Sequence, residues 1–268
     1  MLYQLKNNPL REAIRERRTA FGIYVETPSA SIVELAGLAG LDFVRLDLSH
    51  APFDLNIIEN MIRAAECQGI APIIRLNLDE QKIASVLEMG AMGIIIPDVS
   101  TAEKAKAVVN AAKFSPIGER GMFSASRKSG YGSIDAATFK KWSNEEIMVG
   151  IQIESLQAIE NLDEILSVQG IDIVLSGRTD LSNAFGVPGQ KDHSLVLDAE
   201  EKIFSAAKSK GIAISPQLDP YAINYVENVQ KWVGKGAEII SLGIDLLIIK
   251  KAFENIVNKS KNSNIQER

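Results

Sequence analysis

Eight short runs of apolar, largely β-branched residues recur along this chain, and each is continuous rather than alternating. They are TAFGIYVE (19–26), FVRLDLS (43–49), APIIRLN (71–77), GIIIPDV (93–99), IMVGIQIE (147–154), IDIVLSG (171–177), AISPQ (213–217) and EIISLGI (238–244). A strand with one face in water alternates apolar and polar residues, whereas a continuous run implies cover on both faces, as in a parallel sheet flanked by helices. Amphipathic helical patterns such as SLQAIENLDEIL and YAINYVENVQKWV follow the runs. Eight strand–helix units predict an α/β fold, a closed (β/α)8 barrel of the TIM type. An open doubly wound sheet is the competing arrangement, but it usually carries a glycine-rich phosphate turn after its first strand. No such turn is present here.

One barrel needs about 250 residues, and the chain has 268. A single domain over 1–268 is therefore expected, with a helix at about 9–18 before the first strand and a tail at about 259–268. A net charge of −5, with acidic and basic residues interspersed, points away from nucleic acid. The start of the chain (MLYQLKNNPLREAIRERR) lacks the apolar stretch of a secretory signal, and no segment is long enough to span a membrane. A cytoplasmic protein is expected. Cys67 is the single cysteine, so no internal disulfide can form; its apolar helical surroundings (MIRAAECQG) suggest a core position. Between the fourth helix and the fifth strand lies a long excursion, FSPIGERGMFSASRKSGYGSIDAATFKKWSNEE. Such lengths are usually functional, and it can run along the amino-terminal face or return over the rim.

Barrel enzymes carry their chemistry at the carboxyl ends of the strands. Asp47 and His50 close the second run, Arg75 the third and Glu154 the fifth, while Asp180 follows the sixth in SGRTDLS. An ionised carboxylate ending the apolar run VGIQIE is costly to desolvate without a compensating cation. Glu154 and Asp180, with no thiolate and few imidazoles nearby, suit a hard divalent ion such as Mg²⁺ or Mn²⁺. Equally, Glu154 can pair with a basic residue and Asp180 can cap the following helix. His50 is placed for a general base, or for a structural histidine bonded to its loop. Asp47 either orients that imidazole or caps. Arg75 closes a buried strand and needs an anion: a substrate carboxylate, an enolate oxygen, or a salt bridge to Glu154 or Asp180. Ser176 and Gly177 at the end of the sixth run, Arg178 just after it, and Pro216 within the seventh are assigned to substrate binding together with Arg75. No lysine ends any run, which disfavours Schiff-base chemistry. His193, in GQKDHSLV, is read as a loop residue.

The segments LDLSHAP, PIIRLN, LEMGAMGIIIPDV, PIGERGM, IQIESLQAIENLDEIL and GRTDLSNAFG together resemble the HpcH/HpaI aldolases, metal-dependent pyruvate aldolases, over roughly residues 19–250. The resemblance implies that Glu154 and Asp180 ligate a divalent metal which also chelates a 2-oxo acid. It further implies that Arg75 binds the keto oxygen and that His50 moves the proton of the aldol hydroxyl. Glu88 in LEMGA matches an acidic residue that completes the site, from a neighbouring subunit. A homo-oligomer, a trimer of dimers exchanging the last helix (IDLLIIKKAFENIV), is implied as well. Three departures are visible: Ser49 where the family has glutamate in D-x-E-H, Arg178 where it has proline, and Glu88 where it has aspartate. Arg178 can recognise an extra substrate carboxylate or offset the charge of the ligands. Cleavage or formation of 4-hydroxy-2-oxo acids is the implied reaction. The alternatives are a citrate-synthase-like condensation of oxaloacetate with an acetyl donor, and a 2-oxo-acid-binding barrel without turnover.

Overall fold

A computed structural model describes residues 4–263. Its elements, in chain order, are α1 (Pro9–Arg15), β1 (Ala20–Val25), α2 (Ala30–Leu38), β2 (Phe43–Asp47), α3 (Leu55–Gln68), β3 (Ala71–Arg75), α4 (Glu80–Met89), β4 (Gly93–Ile96), α5 (Ala102–Ala112), α6 (Ala136–Glu146) and β5 (Met148–Ile153). The second half continues with α7 (Leu156–Glu160), α8 (Leu162–Leu166), β6 (Ile173–Ser176), α9 (Arg178–Ala184), α10 (Ser194–Ser209), β7 (Ala213–Ile214), α11 (Tyr225–Gly234), β8 (Ile239–Ile244) and α12 (Asp245–Ser263). All eight apolar runs became strands. They pair in parallel in the order β7-β6-β5-β4-β3-β2-β1-β8. A bridge between Gln217 and Ser241 joins the two ends, so the sheet closes as a (β/α)8 barrel.

Local chemistry sets the turns between strand and helix. Asp54, Asp79, Thr101, Asp135 and Ser155 each accept a hydrogen bond from a main-chain N–H in the first turn of the helix that follows, satisfying donors that a helix start leaves open. At the other end, Gly69 and Gly90 stop α3 and α4 in the left-handed region, with φ of 72° and 119°, where a side chain would be strained.

Several sequence expectations need correction. The seventh run yields only two strand residues, because Pro216 cannot donate to a ladder. The first helix ends at Arg15, and Arg17 adopts a positive φ of 56°. The anticipated tail is helical as far as Ser263, since α12 continues through it; residues 264–268 lie outside the described residues. Cys67 is exposed, not core: the buried stripe of α3 runs through Ile58, Met61, Ile62 and Ala65, and position 67 turns off it. The long excursion keeps to the amino-terminal end of the barrel. There Lys128 donates its main-chain N–H to the Glu88 carbonyl at 2.9 Å, Arg127 donates to the Met89 carbonyl at 2.6 Å, and Trp142 donates to the Lys6 carbonyl at 3.1 Å.

Candidate active site

Strand pleat decides which side chains enter the barrel. Residues two apart share a face, so the pairing of Asp47 with Arg75 across β2 and β3 also turns Arg45 inward, and the contact of Arg45 with Tyr24 turns β1 residues 24 and 26 the same way. On β5 the inward series is Gly150, Gln152 and Glu154. The carboxyl-terminal mouth therefore gathers Glu26, Asp47, Arg75 and Glu154, with Asp180 in the first turn of α9 beside it.

Glu154 is 8% exposed. Its Oε1 accepts the main-chain N–H of Asp98 at 2.7 Å, and its Oε2 accepts the Gln152 amide. Asp98 can present that N–H because it takes a positive φ of 51° just after β4, a conformation aspartate tolerates better than most residues. Burial pushes the Glu154 carboxyl above the usual range, and the negative charge of Asp180 pushes it further; the Asp98 hydrogen bond, Arg75 and Gln152 oppose this. Gly177 packs so closely that a Cβ there would lie 2.2 Å from Glu154 Oε2. Only glycine fits, which is what Gly177 contributes to the site. Asp180 is exposed and makes no capping hydrogen bond to α9.

Arg75, 6% exposed, donates from Nη1 to Asp47 Oδ2 at 2.8 Å, and its Nε has no partner. Its ion-pair partner is thus Asp47, neither Glu154 nor Asp180. Asp47 Oδ1 accepts the main-chain N–H groups of Ser49 at 2.8 Å and His50 at 3.2 Å. Asp47 therefore holds the turn and the arginine rather than the imidazole. His50 itself is exposed at the rim. Ser49 leaves its buried hydroxyl without a partner.

Other assigned residues fall elsewhere. Ser176 turns its hydroxyl outward to Glu200 Oε1 on α10, 2.5 Å away, leaving only its main chain to the mouth. Arg178 is held at the rim by the Lys191 carbonyl at 2.7 Å and Asp192 at 2.6 Å. Pro216 is buried and accepts the Ser241 N–H at 3.0 Å, fixing the seam between β7 and β8. Glu88 lies near the end of α4, at the amino-terminal face, opposite the mouth of its own barrel; burial holds its carboxyl above the usual range against the pull of Arg120. His193 caps α10, its Nδ1 accepting from Leu195 at 3.3 Å.

The sequence reading passed over four groups. Gln152 precedes Glu154 by one pleat, a spacing that could have revealed it; its Oε1 is buried without a partner. Asp245 follows β8 and receives the N–H groups of Glu26 and Thr27, each at 3.0 Å. Arg45, 0% exposed, binds only the neutral hydroxyls of Tyr24 and Ser241 and stacks 3.7 Å over the Tyr24 ring. Glu26 is half-buried; burial, Asp47 and Asp245 raise its carboxyl, while His50 and Arg75 pull the other way.

The donor set fits a hard divalent cation. Glu154 and Asp180 repel one another, and the orphaned Gln152 oxygen belongs to the amide that meets Glu154. Among the described residues no group of three or more acidic, histidine or cysteine side chains is close enough to hold an ion alone. Substrate and water would complete the coordination.

A β/α barrel with acids and a half-engaged arginine at the carboxyl ends of its strands is the architecture of an enzyme acting on an anionic small molecule. The comparisons with known proteins narrow that class. Residues 20–252 match the model of the HpcH/HpaI aldolase/citrate lyase family, and the chain belongs to this family. A 2-keto-3-deoxy-L-rhamnonate aldolase of Salmonella typhi is 32% identical over 94% of this chain and 92% of its own. The crystal structure of an HpcH/HpaI aldolase from Desulfitobacterium hafniense superposes with a TM-score of 0.88 at 28% identity, covering 96% of this chain and 97% of that one. Citrate synthase SbnG gives 0.86 at 27%, covering 97% and 99%. The protein is accordingly a lyase, an aldolase of the divalent-metal-dependent class.

Proposed function

We propose that this aldolase interconverts a 2-keto-3-deoxy sugar acid with pyruvate and a short hydroxyaldehyde. The observation that carries the reading is the meeting of Glu154, Asp180 and Arg75 at one mouth, and the 2-keto-3-deoxy-L-rhamnonate aldolases among its relatives support the substrate class. Mg²⁺ or Mn²⁺ held by Glu154 and Asp180 would supply Lewis-acid polarisation of the 2-oxo group. Arg75 donates to the C2 oxygen as it takes on negative charge, where a fixed donor in a dry site contributes most. Asp47 keeps the guanidinium in place. His50 accepts the proton of the C4 hydroxyl as the C3–C4 bond breaks; the electrons of that bond pass to the C2 oxygen, and C3 of the enolate then takes a proton from solvent water to become the pyruvate methyl group. His50 returns its proton on the reverse path.

The assay is aldol addition of pyruvate to an aldehyde panel with Mg²⁺ or Mn²⁺, alongside exchange of the pyruvate methyl protons followed by NMR. Failure of both while the metal is bound rejects the reading. The likeness to SbnG motivates a second one, condensation of oxaloacetate with an acetyl donor; a tricarboxylate product by mass spectrometry would establish it. Arg178, already engaged by Asp192, gives a third carboxylate no free partner.

The functional unit is a homo-oligomer, by the same proposal. Helix α12 starts against β1 and β8 and leads away with Leu246, Leu247, Phe253, Ile256 and Val257 exposed. It leaves an apolar groove of about 280 Å³ lined by Phe21, Tyr225, Val226, Val229 and Leu242. Exchange of α12 between subunits covers such surfaces. It also gives Glu88, remote from its own mouth, a neighbour's site to complete. A sedimentation experiment showing monomers at micromolar concentration would dismiss this. No helix among the described residues is long and apolar enough to cross a membrane, and we place the reaction in the cytoplasm.

A further inference from the structure

Glu26 follows directly on β1, level with Asp47 on β2 because Val25 pairs with Leu46. Tyr24, one pleat below it, covers Arg45 inside the barrel, so Glu26 faces the mouth. Its main chain is fixed by Asp245, yet no hydrogen bond from a described residue reaches its carboxylate, whose titratable neighbours are Asp47, Asp245, His50 and Arg75. Of the arginines that could receive a distal carboxylate, Arg75 is held by Asp47 and Arg178 by Asp192, while Arg45 is sealed beneath. What remains on this side is acceptor capacity in a negative field, which attracts hydroxyl donors and repels anions.

We propose that Glu26 is a specificity-determining residue: its carboxylate accepts a hydrogen bond from a hydroxyl on the aldehyde-derived half of the substrate and rejects substrates with a second carboxylate there. This rests on the aldol reading above. Lactaldehyde and propanal differ only by that hydroxyl, and succinic semialdehyde carries the unwanted charge. With pyruvate as partner, wild-type enzyme is expected to favour lactaldehyde over propanal in kcat/KM, and propanal over the semialdehyde. Glu26→Ala should lower the lactaldehyde-to-propanal ratio about ten- to a hundredfold, the range of a hydrogen bond to a charged group. Glu26→Gln, close in shape, should lower it only severalfold, because its amide oxygen still accepts, and should raise the semialdehyde-to-propanal ratio. Ratios within one preparation cancel any general loss of active protein, and the glutamine variant serves if the alanine variant does not fold. A lactaldehyde-to-propanal ratio within about twofold of wild type overturns the proposal. If pyruvate methyl exchange persists in the wild-type enzyme, the aldol reading survives that result; if the wild-type enzyme neither exchanges nor condenses, both fall together.

Discussion

The two ends of this barrel treat buried charge in opposite ways. At the amino-terminal end, carboxylates both staple main chain and meet cations. Asp172 accepts the Val149 N–H at 2.8 Å, pairs with Arg11 at 2.7 Å and lies 3.5 Å from Lys113. Asp42 accepts from Phe21 at 2.8 Å and pairs with Arg18 at 2.6 Å. Glu146 accepts the Asn8 N–H and pairs with Arg15, both at 2.7 Å. Asn8, fully buried, ties α1 to the Met92 and Glu146 carbonyls at 2.8 Å. At the carboxyl-terminal end Asp47 meets Arg75, but Glu154, Asp180, Asp245 and Glu26 have no salt-bridge partner among the described residues, and the buried Arg45 hydrogen-bonds there only to the hydroxyls of Tyr24 and Ser241. Satisfied charges stabilise a fold, and unsatisfied ones wait for a ligand.

Substitutions test that contrast most severely at the mouth. Glu154→Gln should lower kcat/KM about a thousandfold or more, the scale of losing a metal's stabilisation of developing charge, with thermal stability kept or raised because a repelled, buried carboxylate is removed; a large drop in Tm would show that Glu154 is structural. Next, Arg75→Lys keeps the charge but not the fork. A loss of roughly a hundredfold in kcat is expected, and near-wild-type turnover would remove Arg75 from the chemistry. The reverse pattern is expected below. Asp172→Ala removes the ion-pair partner of Arg11 and leaves Lys113, whose side chain is 2% exposed, with only the Asn144 and Ile147 carbonyls, and should destabilise by about 3 kcal/mol. Calorimetry should register it as a lower Tm, while kcat/KM of the folded protein stays within about twofold; an activity defect without a stability defect would break the contrast.

A smaller effect is expected at Glu66. Burial raises its carboxyl, but the Arg127 hydrogen bond and the charge of Lys128 outweigh it, and the folded value lies below the usual range. Its stabilisation is therefore present above the ordinary glutamate pKa and fades as pH falls through the folded value. Glu66→Gln should flatten the acid limb of stability against pH; an unchanged slope would deny Glu66 a part in acid unfolding.

Much of the mouth was legible because strand ends are legible. Asp47, Arg75 and Glu154 close buried runs, and in a barrel that position alone brings them to one end. Their partners were not legible. Register between β2 and β3 gave Arg75 to Asp47, and the loop before α10 gave Arg178 to Asp192. Glu26 looked like the polar end of an ordinary run, and Arg45 like one charge within an apolar one. Both acquire meaning only when β8 arrives beside β1.

Periodicity and composition by themselves determined eight buried strands, their order along the chain and the end of the barrel at which each acid would stand, because these depend on the burial of neighbours a few residues apart. Tertiary structure alone decided which charges meet, that Ser176 faces outward, that Cys67 reaches solvent and that α12 keeps apolar residues such as Phe253 and Ile256 exposed. Those outcomes depend on the register and closure of strands far apart in sequence, and no local pattern encodes them.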